Sequence, residues 1–273
     1  MRTWPALRAL FLGSLLLLAG PHPPALASQV AVDLELVLAV DVSGSIDEME
    51  AHLQREGYLR ALVDPAILSA IRAGRHKKIA ITYIEWAGQN WQRTVVDWTL
   101  VHDEASARAL AAEIAKAPPV SGPFTSISGA IDYAVPLFGA KGFKGARRVI
   151  DISGDGPNNS GRRVTLARDA AVAHGITING LPIINERPSP FGRMPMPHLD
   201  LYYRNCVIGG PGAFIVVAND FPSFARAIRR KLILEIVGIP PAERAHPAAA
   251  PLPGFPRCNE GERMRGSFFE ESY

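Results

Sequence analysis

The sequence predicts an α/β fold: a doubly wound, mostly parallel six-stranded sheet with helices on both faces. Strand-like and helix-like segments alternate along the chain, an order typical of such sheets. Residues 34–40 are almost entirely apolar, which indicates a first strand buried on both faces. We expect five parallel strands and one antiparallel edge strand.

The elements after the first strand follow from periodicity and turn signals. An apolar stripe predicts a helix over 46–63, ended by Asp64-Pro65, with acidic residues in its first turn where the helix dipole favours them. Strands at 79–86 and 91–101 are separated by a turn and form a hairpin, whose second strand is the antiparallel edge.

The rest of the alternation rests on the same signals. The further predicted helices are 103–116, 125–138, 162–174, 198–206 and 221–237. The further predicted strands are 147–153, 176–184 and 213–218.

Residues 1–27 have the pattern of a secretory signal peptide. Arg2 and Arg8 give a positive start, a short apolar core follows, and Ala25-Leu26-Ala27 is a small-x-small cleavage site. The apolar core is shorter than the roughly 20 residues that span a bilayer, which disfavours a membrane anchor. We therefore expect cleavage after Ala27 and a periplasmic or secreted protein.

The charge of the chain argues against nucleic acid as a partner. The 273 residues carry a formal net charge of +3, and loss of Arg2 and Arg8 leaves about +1. The sequence shows no basic stripe with interleaved aromatic residues. Nothing after the signal peptide resembles a transmembrane span, so no membrane insertion is expected after cleavage.

The mature chain is predicted to form one domain over 28–238 and a Pro-rich C-terminal tail over 239–273, poorly ordered except near Cys258. Two cysteines in an exported chain suggest a disulfide, here Cys206 with Cys258, which would tie the tail to the domain. Two unpaired thiols are the alternative. A metal site on these cysteines is disfavoured, because neither has a Cys or His at ligand spacing.

Three polar loops follow, or lie beside, strand ends and carry oxygen-bearing side chains. Asp41, Ser43 and Ser45 come directly after the first strand, Thr125 opens a helix, and Asp155 follows another buried strand. In a doubly wound sheet such loops converge at one edge. Oxygen donors suit Mg²⁺, Mn²⁺ or Ca²⁺. Helix capping by Thr125 and simple turn chemistry around Asp155 are the alternatives.

This pattern resembles the von Willebrand factor A (vWA) domain and its metal-ion-dependent adhesion site: Asp-x-Ser-x-Ser, then a Thr, then an Asp on a third loop. The resemblance covers residues 31–238, and more narrowly the chain is similar to the bacterial DUF1194 group of exported proteins. It implies that Ser43 and Ser45 bind the cation directly, and that Asp41, Thr125 and Asp155 bind it directly or through water. It also implies an open coordination position, filled by an acidic residue of a protein partner.

The third loop departs from the family pattern. Many members have Thr-Asp-Gly, whereas this chain has Ser153-Gly154-Asp155-Gly156, so the added glycine affects where Asp155 is placed. Asp151 is the fallback ligand, although as an alternating strand residue it is expected to face away from the site.

The leading hypothesis is a non-enzymatic, cation-dependent protein-binding module. A metal-dependent hydrolase or phosphoryl-transfer enzyme is one alternative, because a carboxylate with Mg²⁺ also supports such chemistry. The sequence contains no Gly-x-Ser-x-Gly elbow, Walker loop or His-Glu-x-x-His motif. A structural domain with a vestigial site is the other alternative.

Overall fold

The centre of the protein is a five-stranded, mostly parallel β-sheet. The computed structural model describes residues 29–185, 187–189, 192, 194–238 and 256–270, with side chains in the last segment described to residue 265. The strands are β1 (Val30–Val32), β2 (Glu35–Asp41), β3 (Ile79–Trp86), β4 (Gln92–Val101), β5 (Phe143–Gly145), β6 (Arg148–Gly154) and β7 (Thr177–Pro182). The sheet order is β4-β3-β2-β6-β7, and β4 is antiparallel to β3.

Strand β2 lies in the middle of this sheet. Each of its residues is buried, and it pairs in parallel with both neighbours, Leu36 lying opposite Ile81 on β3 and Val149 on β6. The prediction of a first strand buried on both faces is therefore confirmed. Asp41 is the last residue of β2, so the first polar loop leaves the sheet at its carboxyl edge.

The predicted sixth strand, 213–218, is present only as two isolated parallel bridges. Ile215 bridges to Gly180 and Ala218 bridges to Ile183, so the segment does run beside β7. Backbone hydrogen bonds from Val216 to Gly180 and from Ala218 to Pro182 hold the segment there, but they do not extend into a continuous ladder. The α/β class is confirmed, and the strand count is corrected from six to five. A separate parallel pair, β1 with β5, was not predicted.

Helices cover both faces of the sheet, as predicted. They are α1 (Glu48–Leu62), α2 (Pro65–Ala73), α3 (Glu104–Lys116), α4 (Ile127–Ala134), α5 (Val164–Ala173), α6 (Leu199–Tyr202), α7 (Phe224–Val237) and α8 (Glu260–Glu270). Helices α1, α2, α3 and α7 enclose one apolar core, and α4, α5 and α6 enclose the other. Alternate residues of β2 supply both cores: Leu36 and Leu38 face the first, while Val37 and Ala39 face the second.

Helix α2 is an element that the sequence analysis missed. Asp64-Pro65 was interpreted as a helix end, but it is also a helix start. The Asp64 side chain accepts a hydrogen bond from the backbone N–H of Ala66, and Pro65 takes the first helical position. Proline is tolerated there because its missing N–H would have no partner inside the helix.

The disulfide between Cys206 and Cys258 is present, as predicted, with an S–S distance of 2.03 Å. Cys206 is fully buried in a π-helical turn, Tyr203–Val207. The described end of the predicted tail is not irregular beyond Cys258, since α8 begins two residues after it. The sequence analysis missed this helix because it judged the tail by its overall proline content, although the prolines of the tail all precede the helix.

The predicted signal peptide and residues 239–255 lie outside the described residues. In the part of the chain that the structure describes, no helix is both long and apolar enough to cross a bilayer. The proposed division into signal peptide, domain and tail stays a prediction.

Candidate metal centre

The first loop of the candidate site places three oxygen-bearing side chains past the end of β2. The backbone N–H of Ser43 donates to Asp41 Oδ1 at 2.7 Å, which turns the chain directly after the strand. Ser43 Oγ and Ser45 Oγ lie 3.0 Å apart. Gln54 of α1 donates from Nε2 to the Asp41 carbonyl oxygen at 2.9 Å and so anchors the loop to the helix that follows.

The second loop lies alongside the first. Ser43 and Gly122 form an isolated parallel bridge, and the Gly44 N–H donates to the Gly122 carbonyl oxygen at 2.9 Å. Thr125 Oγ1 reaches to 3.4 Å from Ser43 Oγ. The N-cap of α4 is Ser126, whose hydroxyl accepts from the Gly129 N–H. The capping alternative for Thr125 is therefore wrong, and its hydroxyl is directed at the first loop.

The third loop closes the cluster. Ser45 Oγ donates to Asp155 Oδ1 at 2.7 Å. The fallback residue Asp151 is bound elsewhere, with its Oδ1 2.5 Å from Lys231 Nζ of α7. All five predicted side chains thus lie in one cluster at the carboxyl edge of the sheet. Whether they bind a cation stays a prediction.

Gly154, where the third loop departs from the family pattern, is closely packed against Asp41 and Tyr203. A Cβ built on Gly154 would lie 2.7 Å from Asp41 Oδ2 and 2.9 Å from the hydroxyl of Tyr203. Both contacts are closer than a real Cβ tolerates, so a residue with a side chain would displace Asp41 or Tyr203. The glycine lets β6 approach Asp41 and places Asp155 against Ser45.

The electrostatics of the cluster are unfavourable for two bare carboxylates. Burial, and then the charge of Asp155, raise the pKa of Asp41 well above its ordinary value, although hydrogen bonds from Ser43 lower it. Burial raises the pKa of Asp155 to about 6, with Glu50 adding to the rise and the Ser45 hydrogen bond opposing it. Among the described residues, Asp41 Oδ2 is buried without a hydrogen-bond partner. A bound cation would offset each of these costs.

Two asparagines that the sequence analysis interpreted only as turn residues hold the second and third loops together. The N–H of Thr125 donates to Asn159 Oδ1, and the N–H of Ser128 donates to Asn158 Oδ1, both at 2.9 Å. The Asn-Asn pair directly after a predicted strand-end turn was the one available signal, but such residues also suit any turn.

A cavity of about 160 Å³ opens beside Ser45 and is lined by Ser45, Asp47, Glu50, Asn185, Arg187 and Pro188. Asp47 caps α1 and forms a capping box with Glu50, which confirms the structural interpretation of these acidic residues. The buried Glu50 carboxylate also pairs with Arg187, whose side chain is 69% exposed. The loop after β7 therefore presents a cationic side chain next to the cluster.

The candidate site is not built of carboxylates, imidazoles and thiols alone. Within the described residues, no three His, Cys, Asp or Glu side chains come close enough to hold a metal ion. The cluster depends instead on three neutral hydroxyl groups in addition to two carboxylates. Such oxygen donors fit hard cations that retain part of their water shell.

The fold is that of vWA domains. Proximal thread matrix protein 1 from the mussel byssus matches with a TM-score of 0.56 and 15% identity, over 77% of this chain and 50% of that one. Its structure with a zinc-occupied MIDAS motif matches with a TM-score of 0.53 and 14% identity, over the same shares. A von Willebrand factor type A protein from Catenulispora acidiphila matches with a TM-score of 0.52 and 13% identity, over 76% and 43%.

This chain thus spans about half the length, or less, of these solved structures. A search of curated proteins finds no match. The model of the family described as "Protein of unknown function (DUF1194)" matches residues 31–240, and the chain belongs to that family. The vWA-like resemblance found in the sequence is confirmed.

Proposed function

We propose that this protein is an exported module that binds a divalent cation at its surface and, through the cation, an acidic group of a protein partner. The ligands would be Asp41, Ser43, Ser45, Thr125 and Asp155. The observation that carries the proposal is the continuous chain of oxygen contacts from Thr125 through Ser43 and Ser45 to Asp155, which joins three separate loops.

Mg²⁺ is the cation we favour, with Mn²⁺ or Ca²⁺ as substitutes. Two carboxylates and three hydroxyls are hard donors, and Mg²⁺ commonly retains waters beside one or two protein carboxylates. Zinc is a useful comparison, because a mussel protein of the same fold has a zinc-occupied site of this kind. Zinc sites in general favour nitrogen and sulfur donors, so we expect Mg²⁺ or Mn²⁺ to be the physiological ion.

The partner would supply a carboxylate to the cation. Three of the five proposed ligands are neutral hydroxyls, so the two carboxylates balance but do not exceed the charge of a divalent cation, and its open position can take an incoming carboxylate. The cluster lies at a loop edge of the sheet, where open α/β folds bind ligands. The predicted signal peptide and the Cys206–Cys258 disulfide both fit an oxidising compartment outside the cytoplasm.

Isothermal titration calorimetry of the mature, oxidised chain with Mg²⁺, Mn²⁺ and Zn²⁺ tests the proposal. We expect Mg²⁺ and Mn²⁺ to bind the native protein, and we expect this binding to be lost in the double variant Asp41→Ala/Ser43→Ala. Asp97→Asn is the control, since Asp97 is an exposed residue of β4 paired with Lys141. Unaltered affinity in the double variant, with its fold confirmed by circular dichroism, would refute the assignment of the site.

The partner is sought by affinity capture from a periplasmic extract, with Mg²⁺ or with a chelator. A protein retained only with Mg²⁺, and lost on the Asp41→Ala/Ser43→Ala column, supports a cation-dependent module. Retention that is equal in both conditions would contradict the role of the cation.

A further inference from the structure

Helix α8 is covalently held against the body of the domain. Its anchor is the disulfide from Cys258, just before the helix, to Cys206, which is fully buried in the core beneath α5. This tether fixes the start of α8 at the edge of the sheet that bears the candidate site. A helix added only to cover apolar surface would not need contacts to the site loops, but α8 makes two.

The first contact is to the third loop. Asn158 donates from Nδ2 to Glu262 Oε1 at 2.9 Å and to the Arg162 carbonyl oxygen at 3.2 Å, while its Oδ1 accepts from the Ser128 N–H in the first turn of α4, directly after the second loop. Asn158 is itself fully buried. A Cβ on Gly261 would overlap the Asn158 carbonyl oxygen, so only glycine allows this close approach of α8. Glu262 therefore supports the side chain that links two of the three site loops.

The second contact is to the residue that precedes Thr125. The Arg265 guanidinium lies 5.8 Å from the centre of the Phe124 ring, within the range of a cation–π interaction. Phe124 has a φ of +63° and a side chain that is 41% exposed. A non-glycine residue in this left-handed conformation needs support from its surroundings. Arg265 provides such support at the residue that directly precedes Thr125.

We propose that α8 is a positioning element of the site: tethered by Cys206–Cys258, it fixes Asn158 through Glu262 and Phe124 through Arg265. It thereby sets the spacing of the Thr125 and Asp155 loops. The consequence for the cation rests on the proposed function, whereas the ordering of the two loops does not. Within the part of the chain that the structure describes, no α8 side chain forms a hydrogen bond or ion pair with the five candidate ligands. The effect of α8 on the cation would therefore be indirect.

Four single variants of the mature, oxidised chain separate positioning from charge. Glu262→Ala removes the shorter of the two hydrogen bonds that Asn158 Nδ2 donates and leaves the one to the Arg162 carbonyl oxygen. Glu262→Gln keeps an Oε1 acceptor but removes the negative charge. Cys258→Ser releases the tether and leaves Cys206 as a buried thiol of unchanged shape. Arg263→Ala is the matched control, because Arg263 is an exposed α8 residue that pairs with Glu260 on the same helix.

The first measurement is amide hydrogen exchange by NMR in metal-free buffer, read at the N–H groups of Thr125 and Ser128. We expect faster exchange in Glu262→Ala and Cys258→Ser, and native rates in Glu262→Gln and Arg263→Ala. The second measurement is Mn²⁺ affinity. We expect Kd to rise about fivefold in the first two variants, the scale of one lost hydrogen bond, and to stay native in the other two.

Native exchange rates at Thr125 and Ser128 in both Glu262→Ala and Cys258→Ser would overturn the proposal, whatever the Mn²⁺ result. Glu262→Gln behaving like Glu262→Ala would also overturn it, because the effect would then come from charge. A native chain that binds no Mn²⁺ refutes the proposed function instead. In that case the exchange rates still decide whether α8 orders the two loops.

Discussion

Thr125 and Asn159 are joined by two reciprocal hydrogen bonds. The Thr125 N–H donates to Asn159 Oδ1 at 2.9 Å, and the Asn159 N–H donates to the Thr125 carbonyl oxygen at 2.8 Å. The pair links the loop before α4 to the loop after β6, so the candidate ligands on these two loops cannot move independently. A site assembled from three loops depends on such cross-links, because loops carry little rigidity of their own.

Asn159→Ala is predicted to loosen the second loop. It removes the acceptor for the Thr125 N–H and keeps the backbone bond. We expect a loss of about 1 kcal/mol in the free energy of unfolding and a weaker Mg²⁺ affinity, by several-fold. Urea denaturation and calorimetry measure the two effects. Asn90→Ala in the exposed β3–β4 turn is the control, and equal behaviour of both variants would contradict the role of Asn159.

Asp155→Asn is predicted to stabilise the metal-free protein while abolishing the response to Mg²⁺. An amide keeps an acceptor for Ser45 Oγ but removes one of two buried negative charges. At pH 8 with a chelator, we expect Tm to rise by about 2–4 °C, which corresponds to about 1 kcal/mol in a chain of this size.

Saturating Mg²⁺ should raise the Tm of the native protein by ligand linkage and leave that of Asp155→Asn unchanged. Differential scanning calorimetry with and without Mg²⁺ gives all four values. Asp97→Asn serves as the control and should keep the native response. A metal-free Asp155→Asn that melts below the native protein would show that the two carboxylates do not repel each other.

Gly154→Ala is predicted to disturb the site by displacing Asp41. The added methyl group would press on Asp41 Oδ2 and on the Tyr203 hydroxyl, both of which are fixed by burial. We expect a loss of about 1–3 kcal/mol in stability, the cost of overpacking, and weaker Mg²⁺ binding. Gly156→Ala is the control, because a Cβ at Gly156 meets only Thr125 atoms, at 3.8 Å or more. Gly192 is not suitable as a control position because its φ is positive. Native Mg²⁺ affinity in Gly154→Ala would contradict the importance of this close approach.

The sequence predicted the first loop well because its signal is unambiguous. The apolar run of β2 ends abruptly at Asp41, and parallel strands bring such ends to one edge. Ambiguity was greater where adjacent residues suit the same role. Thr125 and Ser126 are both good N-caps, and only the structure shows that Ser126 takes that position. Asp64-Pro65 fits the end of one helix and the start of another equally well.

Elements that depend on distant contacts could not be predicted. Helix α8 follows a segment rich in proline, and its place beside Asn158 depends on a disulfide and on contacts that join residues far apart in the chain. Likewise, the Asn-Asn pair was only an ambiguous signal for the partnership of Asn159 with Thr125, since asparagine after a Gly-Pro turn is common for purely local reasons.

A buried charge cluster joins α7 to β6 and β7. Lys231 Nζ lies 2.5 Å from Asp151 Oδ1 and 2.6 Å from Glu235 Oε1, and all three side chains are buried. Asn179 adds a hydrogen bond from Nδ2 to Glu235 Oε1 at 2.9 Å. Two carboxylates share one ammonium group here. Burial, and then the charge of Glu235, raise the pKa of Asp151 to about 7, although Lys231 lowers it.

This raised pKa predicts that stability falls as the pH rises. Between the ordinary pKa of an aspartate, about 4, and about 7, the folded state retains a proton that the unfolded state releases. The stabilisation is therefore complete below about pH 4 and is lost as the pH approaches and passes 7. Asp151→Asn cannot ionise and should lack this dependence. From pH 5 to pH 8, we expect the native protein to lose about 2 kcal/mol relative to Asp151→Asn.

Urea denaturation in chelator at several pH values from 5 to 8 measures the difference. Asp97→Asn is the control, because its ion pair with Lys141 lowers the pKa of Asp97 and keeps its titration below this range. Its curve should run parallel to that of the native protein. If the Asp151→Asn curve also ran parallel, the proton would not reside on Asp151. A curve that converges with the native one at low pH and exceeds it at pH 8 would show that this loss of stability depends on Asp151, as expected for a group whose pKa is higher in the folded state than in the unfolded state.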